Sequence, residues 1–240
     1  SLNNLLFWDD LGDTSFTAYP VDEIIFKLDN NNIPHIAFEE HPTMTEKTVS
    51  VMKYENGHWV YLGQDINDGQ AKDPDLAFDS NNRLYVSFED IKHGYGSCFQ
   101  CPSGVTSVME YVNDSIWNYV GGHGVSSNNS VDSKITLDNN NQLYVSYNDG
   151  YGSIVKMFDS SLNQWSFVDS FMTNIGTSSN PKTPIIIFDN NNLMNVAFVS
   201  SGQDYYGFPL NNPYSSVPNY CKPNLIQYNG WQAPLFTNYI

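Results

Sequence analysis

The stretch KLDNNNIPHIAFEE (residues 27–40) recurs three times along the chain, as AFDSNNRLYVSFED (77–90), TLDNNNQLYVSYND (136–149) and IFDNNNLMNVAFVS (187–200). Its aspartates, Asp29, Asp79, Asp138 and Asp189, are 50, 59 and 51 residues apart. Seven positions after each Asp stands Ile36, Val86, Val145 or Val196. Eight after comes a small residue, Ala37, Ser87, Ser146 or Ala197, and nine after an aromatic, Phe38, Phe88, Tyr147 or Phe198. The alternation has the period of two that a β-strand requires, with large residues on one face and small ones on the other. The D-x-N-N segment between two apolar runs reads as a hairpin turn, because Asp and Asn bond their own backbone and tolerate left-handed conformations. A fixed small residue predicts that another sheet approaches closely at that point.

Each of these hairpins (strands a and b) is followed by a second one (strands c and d) that ends on a tryptophan. Val51–Tyr54 leads through Asn56-Gly57 to Trp59, Val108–Tyr111 to Trp117, Val155–Phe158 to Trp165, and Ile226–Tyr228 through Asn229-Gly230 to Trp231. Asn-Gly between β-prone runs is the strongest short hairpin signal. Trp8 lies 21 residues before Asp29, as Trp117 lies before Asp138, so residues 5–11 read as a further d strand.

A four-stranded unit of this size cannot bury both faces alone, so the units must pack side by side in a ring. The expectation is one all-β domain, a β-propeller of four-stranded antiparallel blades. Its blades fall at 21–70, 71–129, 130–180 and 181–240, with an extra d-type strand within 1–20. A β-sandwich would not explain so regular a repeat. Closure stays open between four blades with a surplus strand, a piece of a longer array, and five blades with a degenerate unit in 199–224.

The pattern resembles secreted propeller repeats built on a D-x-N-G-x-x-Y-V-A-Y hairpin followed by a Y-x-x-x-x-W hairpin. In size and in its one tryptophan per blade it is also similar to lectin propellers of the tachylectin type. The likeness spans residues 21–240 and concerns architecture, which hosts lectins, hydrolases and scaffolds alike. The sialidase S-x-D-x-G-x-x-W box and the signatures of WD-repeats are absent, and no catalytic residue carries over.

A formal charge of −16 with one arginine, Arg83, repels phosphate backbones and excludes nucleic-acid binding by charge neutralisation. No apolar run reaches the roughly 18 residues of a membrane span. The opening SLNNLLFW has neither a basic segment nor a signal-like apolar core, which suits a mature chain, an excised domain or a cytosolic protein. Cys98 and Cys101 flank a short loop and read as a disulfide, with Cys221 free or paired with another chain. Two glycosylation triplets begin at Asn113 and Asn128. Together these features point outside the cell or to its surface, to a glycan or protein partner, and to a neighbouring chain or oligomer.

In a propeller the b–c and d–a loops share one face, and loops on a rigid scaffold are where binding concentrates. The b–c loops here carry His93-Gly94-Tyr95-Gly96, Asp149-Gly150-Tyr151-Gly152 and Gln203-Asp204-Tyr205-Tyr206. A tyrosine ring offers an apolar face to the C–H side of a sugar and a hydroxyl at its rim. Beneath these loops Glu40, Asp90 and Asp149 stand at one repeat position, with Ser200 breaking the series, and Glu39 and Glu89 stand one position earlier. Acids repeated in register favour a binding or structural role, since a glycosidase needs two unlike carboxylates flanking one bond. The expected function is a non-enzymatic, lectin-like module for neutral glycans. The alternatives are a protein-interaction propeller and a propeller glycoside hydrolase. No cofactor or metal is expected, with Ca²⁺ as the alternative: the Asn-rich turns lack calcium-loop spacing, and the five histidines are scattered without ligand spacing.

Overall fold

The computed structural model describes residues 9–94, 104–149, 152–171, 183–200 and 222–228. Strands β1 (Val21–Leu28), β2 (Pro34–Glu40), β3 (Thr48–Glu55) and β4 (His58–Gly63) form one antiparallel sheet in chain order. The same order recurs in β5 (Ala71–Phe78), β6 (Leu84–Asp90), β7 (Val105–Asn113) and β8 (Ile116–Tyr119), and in β9 (Val131–Leu137), β10 (Leu143–Asn148), β11 (Ser153–Asp159) and β12 (Gln164–Phe171). A three-stranded sheet of β13 (Ile185–Phe188), β14 (Met194–Ser200) and β15 (Lys222–Tyr228) follows. Among the described residues no helix is long and apolar enough to cross a membrane. The sheets are propeller blades: β5 packs against β1, β2 and β9, and β9 packs against β13.

The four repeat hairpins have one chemistry. Oδ1 of Asp29 accepts the N–H groups of Asn31 and Ile33 at 2.8 and 2.9 Å. Asp79, Asp138 and Asp189 do the same two and four residues on. The third residue after each Asp is an Asn with φ between 61° and 63°, the left-handed conformation that asparagine bears best. These asparagines also join the blades. The Asn30 N–H donates to Oδ1 of Asn82 at 2.9 Å, that of Ser80 to Asn141 at 2.7 Å, and that of Asn139 to Asn192 at 2.8 Å. Each turn is thereby tied to the next, in the same way three times over.

The small residues of the first three b strands lie where a neighbouring sheet comes closest, whereas Ala197 of the fourth is exposed. Ser87 Oγ accepts from Ser133 Oγ at 3.0 Å, Ser146 Oγ donates to the Pro184 carbonyl at 2.7 Å, and Ala37 is fully buried in the core shared with β5. A second joint lies at the outer strands. Trp117 Nε1 donates to the Leu62 carbonyl at 3.1 Å, and Trp165 Nε1 to that of Val120 at 2.8 Å. The next residue in each case is a glycine, and a Cβ at Gly63 or Gly121 would lie 2.4 or 2.8 Å from the incoming indole.

Most of the d-type strand expected over residues 5–11 lies outside the described residues. Of the segment 1–20, residues 1–8 lie outside the described residues, and 9–20 run as bends with no described strand beside them to form a ladder. The segment still holds the d position chemically. Trp59 Nε1 donates to the Leu11 carbonyl at 2.9 Å, a Cβ at Gly12 would crowd the Tyr54 ring and the Gly57 carbonyl, and Phe16 stacks on Trp59 at 5.2 Å.

The two ends of the arc differ from its middle. Phe26 is 55% exposed, whereas its counterparts Leu76, Ile135 and Ile186 are at most 5% exposed beneath the preceding sheet. At the other end Ile185 and Ile187 are 58% and 59% exposed, although they point the way Ile25 and Ala77 point into the next blade. Both end faces therefore present the apolar surface that interior blades bury.

Two outcomes test this account. Gly63→Ala should lower stability by about 1–3 kcal/mol, because the methyl must displace a packed indole; a melting temperature unchanged by differential scanning calorimetry would show the joint to be slack. The second concerns Asp79. Burial pushes its carboxyl up, but the N–H groups of Arg83 and Asn81 and the Arg83 guanidinium outweigh this and hold it below the usual carboxylate range. A folded-state pKa below the unfolded one gives stability that is present above the unfolded value, near 3.9, and is lost as pH falls through the folded value. In urea unfolding between pH 6 and pH 2, Asp79→Asn should flatten that loss below about pH 4; a slope equal to wild type there would refute the assignment.

Candidate functional site

The b strands β2 and β6 end on carboxylates that are removed from water. Glu40 is fully buried and accepts three side-chain donors: Ser50 Oγ at 2.6 Å, the Tyr61 hydroxyl at 2.6 Å and Gln64 Nε2 at 3.2 Å. Asp90, also fully buried, accepts the Tyr119 hydroxyl at 3.0 Å, His93 Nδ1 at 2.9 Å and the His93 N–H at 3.2 Å. Tyr61 and Tyr119 both lie two residues after the blade tryptophan, so strand d clamps the end of strand b in both blades. Burial, and then the hydrogen bond to Glu40, push the Tyr61 phenol up to about 12; burial and Asp90 raise that of Tyr119 as well. The clamp stays protonated, as a donor to a carboxylate must.

The acids one position earlier are ion-paired. Glu39 meets the Lys47 ammonium, and His41 Nε2 lies 3.2 Å from both Glu39 and Asp22. Glu89 accepts the Gly104 N–H at 2.8 Å, and its other oxygen faces Lys72 Nζ at 3.3 Å. Burial raises the Glu89 carboxyl above its ordinary value against the pull of Gly104 and Lys72. In the third blade Asp149 is half-buried and accepts the Gly152 N–H at 3.1 Å, while its own N–H donates to the Gly152 carbonyl at 3.1 Å. The tyrosine clamp is missing there because Phe167 stands where Tyr61 and Tyr119 stand, and it is exposed.

Glu40, Asp90 and Asp149 thus sit at the bases of the b–c loops. Tyr95, Tyr151, Tyr205 and Tyr206, and the cysteines Cys98, Cys101 and Cys221, lie outside the described residues. Asn113 is exposed at the end of β7; Asn128 is exposed too, but its Ser130 is buried and bonded to the Thr106 N–H at 2.7 Å.

The structure also gathers residues that look scattered in sequence. His93 and His123 come together with ring centroids 4.0 Å apart, and Tyr119 packs 3.9 Å from His123. Burial, and then His93, lower the His123 pKa. The tyrosine clamps had a readable signal in the W-x-Y spacing of Trp59–Tyr61 and Trp117–Tyr119; the histidine pair, 30 residues apart, had none. On the opposite face a depression of about 480 Å³ opens among the a–b turns, lined by Lys27, Asn30, Asp79, Asp138 and Asn141 among others.

No protein-family model matches the sequence, and no curated protein matches it as a relative. Solved structures do share the fold. An α-L-arabinanase of Penicillium chrysogenum complexed with arabinobiose superposes with a TM-score of 0.56 at 11% identity, over 90% of this chain and 65% of that one. The GH93 α-L-arabinofuranosidase of Fusarium graminearum, also with arabinobiose, gives 0.54 at 12% identity over 90% and 65%. A protein of unknown function from Dyadobacter fermentans gives 0.53 at 9% identity over 76% and 62%. The chain therefore spans less than two thirds of the length of these structures, and at such identities the likeness establishes the fold.

If the clamp holds the strand end, Tyr61→Phe should cost about 1–3 kcal/mol by leaving a buried carboxylate short of a donor. Urea denaturation at neutral pH checks this, and a loss below about 0.5 kcal/mol would mean that Ser50 and Gln64 suffice.

Proposed function

We propose that this chain is an extracellular carbohydrate-binding propeller that holds neutral glycans through the b–c loops bearing Tyr95, Tyr151, Tyr205 and Tyr206. The observation that carries the reading is the state of the carboxylates at the bases of the b–c loops, Asp90 before Tyr95 and Glu40 at the same position in the first blade. Glu40 and Asp90 are fully buried and accept hydrogen bonds from donors of their own blade. Groups so engaged anchor the loop bases and are poorly placed to attack or protonate a substrate. Rigid bases under tyrosine-rich loops suit recognition, where little entropy should be lost on binding. Repeated loops around a ring add weak sites into useful avidity. The arabinobiose held by two propellers of this fold agrees with a glycan as the class of ligand.

Glu89 favours a second reading, a glycoside hydrolase, because a buried carboxyl with a raised pKa is the form a general acid takes. One experiment separates the two: a screen of neutral oligosaccharides, arabino-oligosaccharides included, scored for both binding and release of reducing ends. Binding without turnover, lost in the double substitution Tyr95→Ala and Tyr151→Ala, is the expected result. Turnover abolished by Glu89→Gln would replace it with the hydrolase. A blank screen on both counts would sink both and leave a protein partner, for which the exposed apolar end faces at Phe26 and Ile187 are the natural contact.

A further inference from the structure

The repeat supplies a carboxylate and a tyrosine at the top of the first two blades, but only the second adds imidazoles to them. The residue three after Asp90 is His93, where the first blade has Thr43; the residue six after Trp117 is His123, where the first blade has Asp65. Two departures from the repeat, far apart in sequence, converge on one point in space. The backbone of each is held in place. His93 is fixed through its backbone N–H and Nδ1 to Asp90. His123 is flanked by Gly121, Gly122 and Gly124, all with φ between 73° and 86°, and its turn is pinned by Gly124 N–H to Ser107 Oγ at 3.2 Å and Val125 N–H to the Thr106 carbonyl at 2.6 Å.

We propose that Asp90, His93 and His123 form a site for one divalent transition-metal ion of the zinc and cobalt class. Each offers one donor atom, and the three atoms lie within 4.8 Å of one another. In a tetrahedral site, ligand atoms about 2.0–2.2 Å from the ion lie roughly 3.3–3.6 Å from one another, so a side-chain movement of about 1 Å closes the set. The exposed His123 is the member free to make that shift, since Asp90 is buried and His93 is tied to it. Two imidazoles and one carboxylate are a borderline donor set, suited to zinc, cobalt, nickel or copper and not to calcium, which takes oxygen ligands in larger number. Tyr119 completes the design from behind by donating to Asp90 while its ring backs both imidazoles. Such outer groups orient metal ligands.

Local charge agrees. Among the described residues Asp90 pairs with no lysine or arginine, and Lys92 directs its ammonium to the Asp68 carbonyl at 2.5 Å instead. The second cluster of this kind, Asp22, Glu39 and His41, already holds the Lys47 ammonium against Glu39 and is the poorer candidate. With three protein ligands and an exposed edge, the site keeps a coordination position open to water or to an oxygen of a bound molecule.

The test is titration of the chelator-treated full chain with cobalt, followed by its visible absorption, with zinc displacement by calorimetry. We expect one saturable equivalent, with affinity falling at least about tenfold in His123→Ala and in His93→Ala and staying unchanged in His58→Ala. His123 is exposed, so its replacement leaves the core intact, and the circular dichroism of each variant confirms the fold. No saturable binding, or affinity in both the His93 and His123 variants equal to that of the wild type, overturns the proposal.

Discussion

The arc depends on the asparagine at the third position after each repeat aspartate. Its left-handed backbone makes the a–b turn, and its side chain receives the N–H of the turn before it. A glycine would tolerate the same φ but would leave that N–H to water. Local conformation and assembly are therefore fixed by one residue, which explains why the D-x-N-N stretch holds while the loops around it diverge. The inner strands add the apolar part of the joint, as when Leu76 fits under Ala37, Val49 and Val51. The outer strands add a tryptophan that lies on a glycine and donates to the carbonyl before it.

With the blades held at the turns, along the inner strands and at the indoles, the opposite ends of the b strands are left to organise the loops. Their carboxylates serve this purpose. Glu40 and Asp90 are drawn inward by a tyrosine of strand d and accept from the side chains around them, so the loop that leaves each strand starts from a fixed point. Glu39 and Glu89, one residue earlier and on the other side, hold lysines of the loop or of the inner strand. The acidity of the chain is, at this rim, a set of specific contacts.

Most of the architecture was legible because it repeats. Period-two alternation, the D-x-N-N turn and the recurring small residue each say something weak once and something strong four times. The carboxylate series was found in the same way, though its burial was not: alternation places Glu40 and Asp90 at strand ends, where solvation is the ordinary outcome, and only the W-x-Y spacing hinted at a donor waiting inside. The N-terminal segment was placed by the tryptophan rhythm in the right neighbourhood: residues 5–8 of the strand expected over 5–11 lie outside the described residues, and position relative to Trp59 is kept by one carbonyl and one glycine. The meeting of His93 and His123 was invisible, because it requires knowing that a b–c loop and a d–a loop of one blade lie side by side.

The turn joint is asymmetric, and that has a consequence for how such a chain arises. Each blade carries a donating half, the N–H one residue after its aspartate, and an accepting half, the amide oxygen two residues later. Every unit is thus a link with a hook and an eye of the same pattern. Duplicating or deleting one leaves all remaining links matched, so the turn chemistry places no limit on how many may be strung together. The count must be set elsewhere, by how tightly the apolar faces wedge adjoining sheets, and lineages of such repeats are free to lengthen or shorten without reinventing the link.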